Sequence, residues 1–352
     1  MHLNIPYPNL PPWLLDNTQE MIFTLADKSA KRETQVIQDV ISMALSDLEK
    51  MQDRADGLSG VPSGYIGIDK VTFGWQPADL IITAARPAMG KTAFVLTMAR
   101  NMAVDHKVPV AIFSLEMPAG QLVKRLIVSE TGIDNKKIRG GAKLTVDDWA
   151  QINSGLNELS QAPLYIDDTP SLSIYEFKSK ARRLVQNSHV KLIIIDYLQL
   201  MTGPSDVKQM REQEVSAISR SLKSIAKELD IPIIALSQLS RAVEARGGTK
   251  RPQLSDLRES GAIEQDADIV MFIHRPGYYG LDDSVSQDAA EIIIAKHRNG
   301  EVKDVPMRFR SSEVKFVDVD DNDDIGFGDS SPENSYETLV SKMNDDVNNE
   351  FE

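Results

Sequence analysis

The sequence predicts an α/β fold in which a mostly parallel central sheet is covered by helices on both faces. Short apolar segments alternate with amphipathic stretches of helical spacing over residues 80–274. Strands that are buried on both faces form continuous apolar runs, and parallel strands need crossover connections, which are usually helical. A Gly-Lys-Thr triplet opens one of these helices directly after an apolar segment, as in a phosphate-binding loop.

The composition is that of a soluble globular protein. The chain has 352 residues, of which 41% are hydrophobic and 26% are charged, enough to bury a large core. The absence of cysteine excludes a disulfide scaffold and a cysteine-ligated zinc site, and it fits a reducing compartment. Prolines interrupt the N-terminal segment, which argues against a signal peptide, and no apolar run approaches the roughly 20 residues that span a bilayer. We therefore expect a cytoplasmic protein with no membrane partner.

The net charge of −13 is concentrated at the C-terminus. Residues 318–352 contain twelve acidic residues and one basic residue, which leaves the rest of the chain near neutrality. Such a tail is expected to be disordered and solvated. A near-neutral body excludes nonspecific coating of nucleic acid by a broad basic surface, so any DNA contact must come from a local cluster.

Three regions are predicted from these patterns: an N-terminal arm with linker helices over 1–55, an ATPase-like α/β domain over 56–317, and the acidic tail over 318–352. Within the first region, Asp16 or Asn17 caps a helix whose apolar face carries Met21, Ile22 and Leu25. A second helix has apolar residues at spacings of three and four from Val36 to Met51. A glycine-rich stretch over 57–64 marks the boundary.

The strands and helices of the central region follow from the alternation. Buried strands are predicted at Leu80–Ala85, Val110–Leu115, Leu192–Ile195, Pro232–Ser237 and Ile269–His274. Helices are predicted near Lys91–Val104, Ala119–Thr131, Val146–Leu159, Ile174–Asn187 and Glu214–Leu229. A hairpin with a two-residue turn at Asn299-Gly300 is predicted to join strands Ala290–Lys296 and Lys303–Phe309.

The strongest motif is the segment Ala85–Thr92, which follows a strand and opens a helix as a P-loop does. Lys91 is expected to meet the β and γ phosphates of ATP, and Thr92 to ligate Mg²⁺. Ala85 stands where the general pattern has glycine, and a chance Gly-Lys-Thr at a helix start is the alternative. The predicted nucleotide-binding residues are Arg86, Pro87, Ala88, Met89, Gly90, Lys91 and Thr92.

Two carboxylates accompany this loop. Asp196 ends the apolar run that begins at Leu192, as in a Walker B strand, and is expected to hold the magnesium shell through water. Glu116 follows the neighbouring strand and is placed to orient water against the γ phosphate. Asp196 could instead be a helix cap or turn residue, and Glu116 a solvated residue that begins the next helix.

Taken together, these segments resemble the C-terminal ATPase domain of the DnaB-type replicative helicases, which has a RecA-like fold. The resemblance covers about residues 17–317, and the family tolerates alanine at the position of Ala85. The matching segments, in the order of the family, are Gly60–Gly64, Gly74–Pro77, Ala85–Thr92, Phe113–Pro118, Ile195–Leu200, Ser237–Arg241, Asp256–Asp268 and Lys296–Gly300.

The resemblance implies roles for further residues. Glu116 resembles the catalytic base, and Gln238 the residue that senses the γ phosphate. Lys296 and Arg298 resemble a pair that acts on the nucleotide of the neighbouring subunit, with Arg298 as the arginine finger. Residues two apart on a strand share a face, which suits such a pair. A solvated basic strand end is the alternative.

The family binds single-stranded DNA on the inner wall of a ring. The resemblance places DNA contacts at Arg258, Glu259 and Gly261, and the loop 202–211 adds Lys208 and Arg211. Contacts of this kind reach phosphates and carry no sequence information. The arginine-rich loop 240–251 is either a further DNA contact or a mobile surface loop.

A finger that acts in trans requires an oligomer, and the family forms hexameric rings. The helix near Glu20–Ala26 resembles the linker helix that docks on the next subunit, and packing on its own domain is the alternative. A helicase loader is a further partner that the resemblance allows. The N-terminal helical collar of the family has no counterpart here, which puts primase binding in doubt.

Three functions compete at this point. The first is an ATP-dependent helicase that translocates 5′ to 3′ on single-stranded DNA, and the resemblance alone supplies the polarity. The second is a RecA-like recombination or filament protein, which would form open filaments instead of closed rings. The third is an inactive assembly subunit, which the presence of Lys91, Glu116 and Arg298 argues against.

Overall fold

The structure is a computed structural model that describes residues 36–52, 57–203, 211–246, 248–279 and 286–319. The chain divides into two compact units, Met1–Gly57 and Leu58–Glu352. In the first unit the described helix is α1, Ile37–Gln52, which confirms the second helix predicted for this region. The predicted helix that includes Glu20–Ala26, the N-terminal arm and nearly all of the acidic tail lie outside the described residues.

The second unit is built on a nine-stranded sheet of order β3-β2-β4-β5-β1-β6-β7-β8-β9. The strands from β3 to β6 run parallel, which confirms the predicted fold class. Their bounds are β1 Leu80–Ala85, β2 Val110–Ser114, β3 Leu164–Asp167, β4 Leu192–Asp196, β5 Ile233–Gln238 and β6 Ile269–His274.

Three antiparallel strands extend the sheet beyond β6, namely β7 Ala289–His297, β8 Lys303–Arg310 and β9 Lys315–Asp318. The hairpin of β7 and β8 is confirmed, but its predicted two-residue turn is wrong. Five residues, 298–302, separate the two strands, and the last paired residues are Ile294 and Lys303. The backbone N–H of Arg298 instead donates to Asp268 O at 3.0 Å, which holds the end of β7 against the start of β6.

Helices cover both faces of the sheet. Their bounds are α2 Ile66–Thr72, α3 Lys91–Arg100, α4 Ala119–Thr131, α5 Val146–Gln161, α6 Ile174–Ser188, α7 Arg211–Leu229, α8 Ala242–Ala245 and α9 Gly261–Asp266. The predicted helix 91–104 is thus shorter, because a π-helical turn takes over at Asn101–Asp105. Among the described residues, no helix is long and apolar enough to cross a membrane.

Among the α-helices and strands described in the second unit, five were not predicted from the pattern: α2, α8, α9, β3 and β9. Each is only four to seven residues long. The edge strand β3 is only partly buried, and Tyr165 in it is exposed. Short elements with mixed burial lack the sustained periodicity on which sequence-based prediction depends.

The core lies as two apolar layers, one on each face of the sheet. Along β1, Leu80, Ile82 and Ala84 pack into one layer, while Ile81 and Ala85 pack into the other. Side chains that alternate along a strand project to opposite faces. Each fully buried Leu or Ile stabilises the folded state by about 1.5–3 kcal/mol. Burial on both faces therefore fixes the position of the end of β1 in the sheet. The residues just after that end therefore have a fixed position.

Candidate nucleotide-binding and catalytic site

The ends of four neighbouring strands meet at one edge of the sheet. Ala85 at the end of β1 pairs with Gln238 at the end of β5, and Ser114 at the end of β2 pairs with Asp196 at the end of β4. Ligands of open parallel sheets bind outside the carboxyl ends of the strands. The P-loop and the predicted polar residues therefore share one edge.

The P-loop connects β1 to α3 through a turn that requires an unusual backbone. Gly90 has φ of 95° and caps the N-terminus of α3. A Cβ at this position would lie 3.0 Å from the Phe316 ring, so both the backbone angle and the space favour glycine. Ala88 also has a positive φ, 66°. The first backbone N–H groups of α3 are thereby presented to the pocket, where they can bind an anion.

Lys91, Thr92 and Asp196 form the centre of the site. The Lys91 ammonium donates to Ser237 O at 3.0 Å, and the Thr92 hydroxyl donates to Asp196 Oδ2 at 2.8 Å. Burial lowers the pKa of Lys91, although Asp196 and Glu116 oppose this shift. Burial likewise raises the pKa of Asp196, and the Thr92 hydrogen bond and Lys91 oppose it. The centre thus confines opposite charges where water is scarce.

Asp196 also has an unused acceptor that bears on metal binding. Its Oδ1 is buried and has no hydrogen-bond partner. A buried carboxylate oxygen without a donor is costly unless a cation or an ordered water satisfies it. Within the described ranges, no group of three or more His, Asp or Glu side chains could hold a metal by itself. Magnesium sites at phosphates commonly use one or two protein ligands and complete the shell with phosphate and water, so the donor set fits Mg²⁺ with a nucleotide.

A cavity of about 680 Å³ lies over this centre. Its volume is within the range of sites that hold small-molecule cofactors. It brings the predicted P-loop residues together with Glu116 and Gln238, and Phe309 and Val314 of the antiparallel part close one side. Of the predicted P-loop residues, Arg86, Pro87, Ala88, Gly90, Lys91 and Thr92 line the cavity, whereas Met89 is buried in the apolar core below it.

Three basic residues of the cavity wall were missed by the sequence analysis: Lys124, Arg125 and Arg139. For Arg125 on α4, burial lowers the pKa of the guanidinium, and Asp196 and Glu116 oppose the shift, which places Arg125 in the field of both carboxylates. Its position nine residues after Glu116 was visible in the sequence. A Lys-Arg pair on an amphipathic helix is, however, most often a solvated face.

Arg86 lines the cavity, but its guanidinium is engaged elsewhere. It donates to Leu239 O at 2.7 Å and makes two bonds to Glu244 Oε1, at 2.8 and 3.0 Å. Arg86 is 6% exposed, and its bond to Leu239 O is buried, whereas the two bonds to Glu244 are partly buried. The side chain joins the P-loop to the segment that follows β5.

Lys296 and Arg298 do not line the cavity of their own chain. The Lys296 ammonium donates to Glu264 O, and the Arg298 guanidinium donates to Gln265 O at 2.7 Å. Arg298 also approaches Asp268 at 3.3 Å, while 48% of its side chain stays exposed. The two cations contact the same short helix, α9, and they lie outside the nucleotide cavity.

The structure describes only some of the residues that are predicted to contact DNA. Lys208 lies outside the described residues, and Arg211 begins α7. Arg258 and Glu259 fall in a 3₁₀ segment, Leu254–Ser260, and Gly261 begins α9. The backbone of 258–261 is therefore helical and continuous.

The described part of the loop 240–251 contains the short helix α8 and is held by ion pairs. Arg246 pairs with the buried Asp256, and Arg251 pairs with Glu291 and Asp304. Because these arginines form ion pairs within the chain, they stabilise the loop, which argues against a mobile surface loop.

A parallel sheet with a P-loop after its central strand, and carboxylates and a glutamine after the neighbouring strands, defines a P-loop ATPase of the RecA-like class. Comparison with known sequences narrows this class. The profile described as "DnaB-like helicase C terminal domain" matches residues 60–318. The chain belongs to this DnaB-like family, that of the hexameric replicative DNA helicases, and is an ATP-dependent DNA helicase.

Two curated relatives illustrate the match. The chain is 47% identical to the "Replicative DNA helicase DnaB" of Geobacillus stearothermophilus and 46% identical to the "Replicative DNA helicase DnaC" of Bacillus subtilis (strain 168). Each alignment covers 87% of this chain and 67% of the relative, so the chain spans about two thirds of their length.

Two solved structures share the fold. One is described as an ATPase domain, and it aligns with a TM-score of 0.75 and 40% identity, over 82% of this chain and 100% of that one. A DnaB-like replicative helicase, described with its interactions with primase, aligns with a TM-score of 0.74 and 37% identity, over 87% of this chain and 75% of that one. Both structures match the RecA-like domain of this chain at 37% identity or more, which supports membership of the same family as well as a shared fold.

Proposed function

We propose that this chain is one subunit of a homo-hexameric ring that couples hydrolysis of Mg²⁺-ATP to 5′ to 3′ translocation on single-stranded DNA and so unwinds duplex DNA. One observation carries the proposal. One chain brings the P-loop, Asp196, Glu116 and Gln238 to one site. Lys296 and Arg298, which resemble the arginine-finger pair of the family, lie outside that site. The organisation proposed with it is 1–55 for the arm and linker helices, 56–317 for the motor and 318–352 for the acidic tail.

Within the cavity, the P-loop residues act on the phosphates. The N–H groups that open α3 bind phosphate oxygens, and the Lys91 ammonium leaves the Ser237 carbonyl to neutralise the β and γ phosphates. Thr92 and Asp196 would hold Mg²⁺, the aspartate through water, which would give the buried Oδ1 of Asp196 a partner. Bound Mg²⁺ supplies charge neutralisation at the β and γ oxygens.

Two residues at strand ends act on the nucleophile and on the sensing of nucleotide. Glu116 lines the cavity and accepts a hydrogen bond from the attacking water, which it orients toward the γ phosphorus. Gln238, which pairs with Ala85 across the strand ends, contacts the γ phosphate and reports its presence to the chain after β5. Arg125 adds positive charge beside both carboxylates.

The finger completes the site from a neighbouring subunit. Arg298 is half exposed, and Lys296 shares its face at the end of β7. Their present partners are mainly carbonyl oxygens of α9, which are weaker partners than a phosphate for a cation. Each ring interface therefore forms one complete catalytic site.

DNA binds by its phosphates in the centre of the ring. The contacts we propose are Arg258 and Glu259 in the 3₁₀ segment, Gly261 at the start of α9, Lys208, and Arg211 at the start of α7. A near-neutral body confines the attraction to such local positions. Glu259 serves to orient Arg258 or to meet the next subunit, since a carboxylate does not itself bind phosphate.

Other partners follow from the relatives. A helicase loader is proposed as a partner of the ring. One structural neighbour is described with its interactions with primase. Location in the cytoplasm stays a prediction. The RecA-like filament alternative gains no support from the relatives, which are replicative helicases.

The test combines three measurements on the full chain. Steady-state ATP hydrolysis is measured with and without oligo-dT, unwinding with a forked duplex that carries a 5′ or a 3′ tail, and the assembled mass in the presence of Mg²⁺-ATP. We expect DNA-stimulated hydrolysis, unwinding that requires the 5′ tail, and a mass of six chains. Hydrolysis that DNA stimulates without any unwinding of the fork would contradict the helicase proposal, and open filaments would support the RecA-like alternative.

A further inference from the structure

Arg86 is a P-loop residue whose charge is not directed at the phosphates. Its guanidinium is buried and makes three hydrogen bonds to residues of the segment after β5. Two of them converge on one oxygen of Glu244, whose side chain is 50% exposed. A guanidinium fork that meets a carboxylate is strong and directional, so the pair fixes α8 relative to the P-loop.

The segment from Leu239 to Arg246 is in turn fixed to the start of the candidate DNA segment. The Ser240 N–H donates to Asp256 O at 3.1 Å, and Arg246 forms an ion pair with the Asp256 carboxylate. Asp256 is 3% exposed and also accepts from the Gln253 N–H at 2.7 Å. It lies two residues before Arg258 in the same 3₁₀ segment.

Apolar packing joins the same elements. Leu239 and Val243 are buried in one cluster with Leu257 and Ile263. The N–H of Leu239 donates to Ala85 O at 3.2 Å, at the point where β1 enters the P-loop. Residues 239–246 therefore connect the two sites by both polar and apolar contacts, and packed interiors of this kind transmit small displacements.

We propose that Arg86 and Glu244 form a positioning pair that couples nucleotide in the P-loop to the affinity of the segment 254–261 for DNA phosphates. The pair touches neither the reacting phosphorus nor the DNA. It transmits the position of the P-loop to α8, and the Arg246–Asp256 pair transmits the position of α8 to the 3₁₀ segment. This inference rests on the proposed function and assigns a regulatory role to residues within it.

The test measures coupling in both directions, because the effect of nucleotide on DNA affinity must equal the effect of DNA on nucleotide affinity. Affinity for fluorescent oligo-dT is measured with and without Mg²⁺-ATPγS, and affinity for a fluorescent ATP analogue with and without oligo-dT. The variant is Glu244→Gln, which keeps the size of the side chain and removes its charge. The matched control is Glu228→Gln, which removes a carboxylate paired with Arg182 and Lys178 on helices away from the cavity.

We expect Glu244→Gln to lower the coupling factor at least about 3-fold in both directions, the scale of couplings through packed networks, while basal hydrolysis without DNA and the thermal midpoint stay near wild type. Glu228→Gln should leave the coupling factor unchanged. Arg86→Lys should lower it as well, and the double variant should lose little more than Glu244→Gln alone, because the two residues act through one contact.

An unchanged coupling factor in Glu244→Gln would overturn the inference. So would an equal fall of basal hydrolysis, both affinities and the thermal midpoint, which indicates a purely structural role. Failure of the proposed function is seen separately, since the wild-type chain would then show neither DNA-stimulated hydrolysis nor nucleotide-dependent DNA binding.

Discussion

The parallel and antiparallel halves of the sheet differ in whether their candidate site residues contact one another within the chain. The parallel half ends in a site whose parts already touch, since Thr92 meets Asp196 and Lys91 meets the end of β5. The antiparallel half ends in Lys296 and Arg298, which are partly exposed and contact mainly carbonyl oxygens of α9. The parallel half thus holds an assembled candidate binding site, whereas the antiparallel half holds two cations that do not reach that site within the chain.

The difference follows from the geometry of the strands. Parallel neighbours place all their carboxyl ends at one edge, so β1, β2, β4 and β5 contribute residues to one site. In the antiparallel extension the carboxyl end of β7 lies beside the start of β6, as its Ile269 and His297 partners show. Lys296 and Arg298 therefore lie at the end of the sheet opposite the P-loop, which fits the action on a neighbouring subunit's nucleotide that we propose for them.

The comparison would break most visibly at Lys91. We expect Lys91→Ala to reduce ATP hydrolysis to background, because the variant loses the ammonium that neutralises the β and γ phosphates. Lys191→Ala, at an exposed position ahead of β4, is the matched control. Steady-state phosphate release checks both variants, and turnover of Lys91→Ala near the wild-type rate would remove the P-loop assignment.

Arg298→Ala tests the incomplete half. Turnover should fall about 10³–10⁵-fold, as when other arginine fingers are lost, while affinity for a fluorescent ATP analogue stays within a few-fold of wild type. Arg310→Ala, at an exposed position on β8, is the control. If nucleotide affinity and turnover fell together, Arg298 would have a structural role.

A mixing experiment sharpens the same prediction. Lys91→Ala and Arg298→Ala are each expected to be inactive alone, but a ring that contains both would have interfaces with an intact P-loop on one subunit and an intact finger on the next. Hydrolysis should therefore recover in part when the two variants are mixed. Absence of recovery from assembled mixed rings would mean that Arg298 does not act between subunits.

Asp196→Asn tests the buried acceptor of the complete half. The amide is neutral, so the Mg²⁺ concentration needed for half-maximal hydrolysis should rise about 10–100-fold, as for other residues that orient a metal shell. Asp167→Asn is a close control, since Asp167 also ends a strand but pairs with Lys180 outside the cavity. An unchanged Mg²⁺ requirement in Asp196→Asn would contradict the proposed metal site.

The smallest effect concerns stability at the boundary between the halves. Burial lowers the pKa of His274 on β6 to about 4, from an ordinary 6.5, and Arg251 adds to the shift. The unfolded chain therefore binds a proton that the folded chain does not between these values, and stability falls as the pH is lowered through this window. The contribution of His274 to the free energy of unfolding falls by about 2 kcal/mol between pH 7 and pH 5.

Chemical denaturation at both pH values checks this, with His274→Gln as the comparison. Burial also raises the pKa of Asp79 to about 6, which acts in the opposite direction over the same window. Because Asp79 is present in both proteins, the difference between their slopes isolates His274. Equal slopes for the wild type and His274→Gln would contradict the neutral, buried histidine.

Much of the motor could be predicted from the sequence because its signals are local. The five longer strands of the parallel half, the P-loop and its helix, and the acid that ends β4 each depend on the order of residues within one short segment. Elements that are short and half buried, such as β3 and α2, could not be predicted in this way. The prediction of a two-residue turn at Asn299-Gly300 was wrong. The backbone N–H of Arg298 bonds to Asp268 O on the β6 side, so a longer connection joins β7 to β8.

The sequence by itself determined the fold class and pointed to Lys91, Thr92, Asp196 and Glu116 as candidate site residues, because strand ends and motif spacing carry that information. Its resemblance to known helicases pointed to the family. Tertiary structure alone decided three further matters: the entry of Arg125 into the cavity wall, the turn of Arg86 toward Glu244, and the placement of Lys296 and Arg298 away from their own P-loop. Each depends on contacts between residues that lie far apart in the sequence, set by strand register and burial, and no pattern within a single segment encodes them.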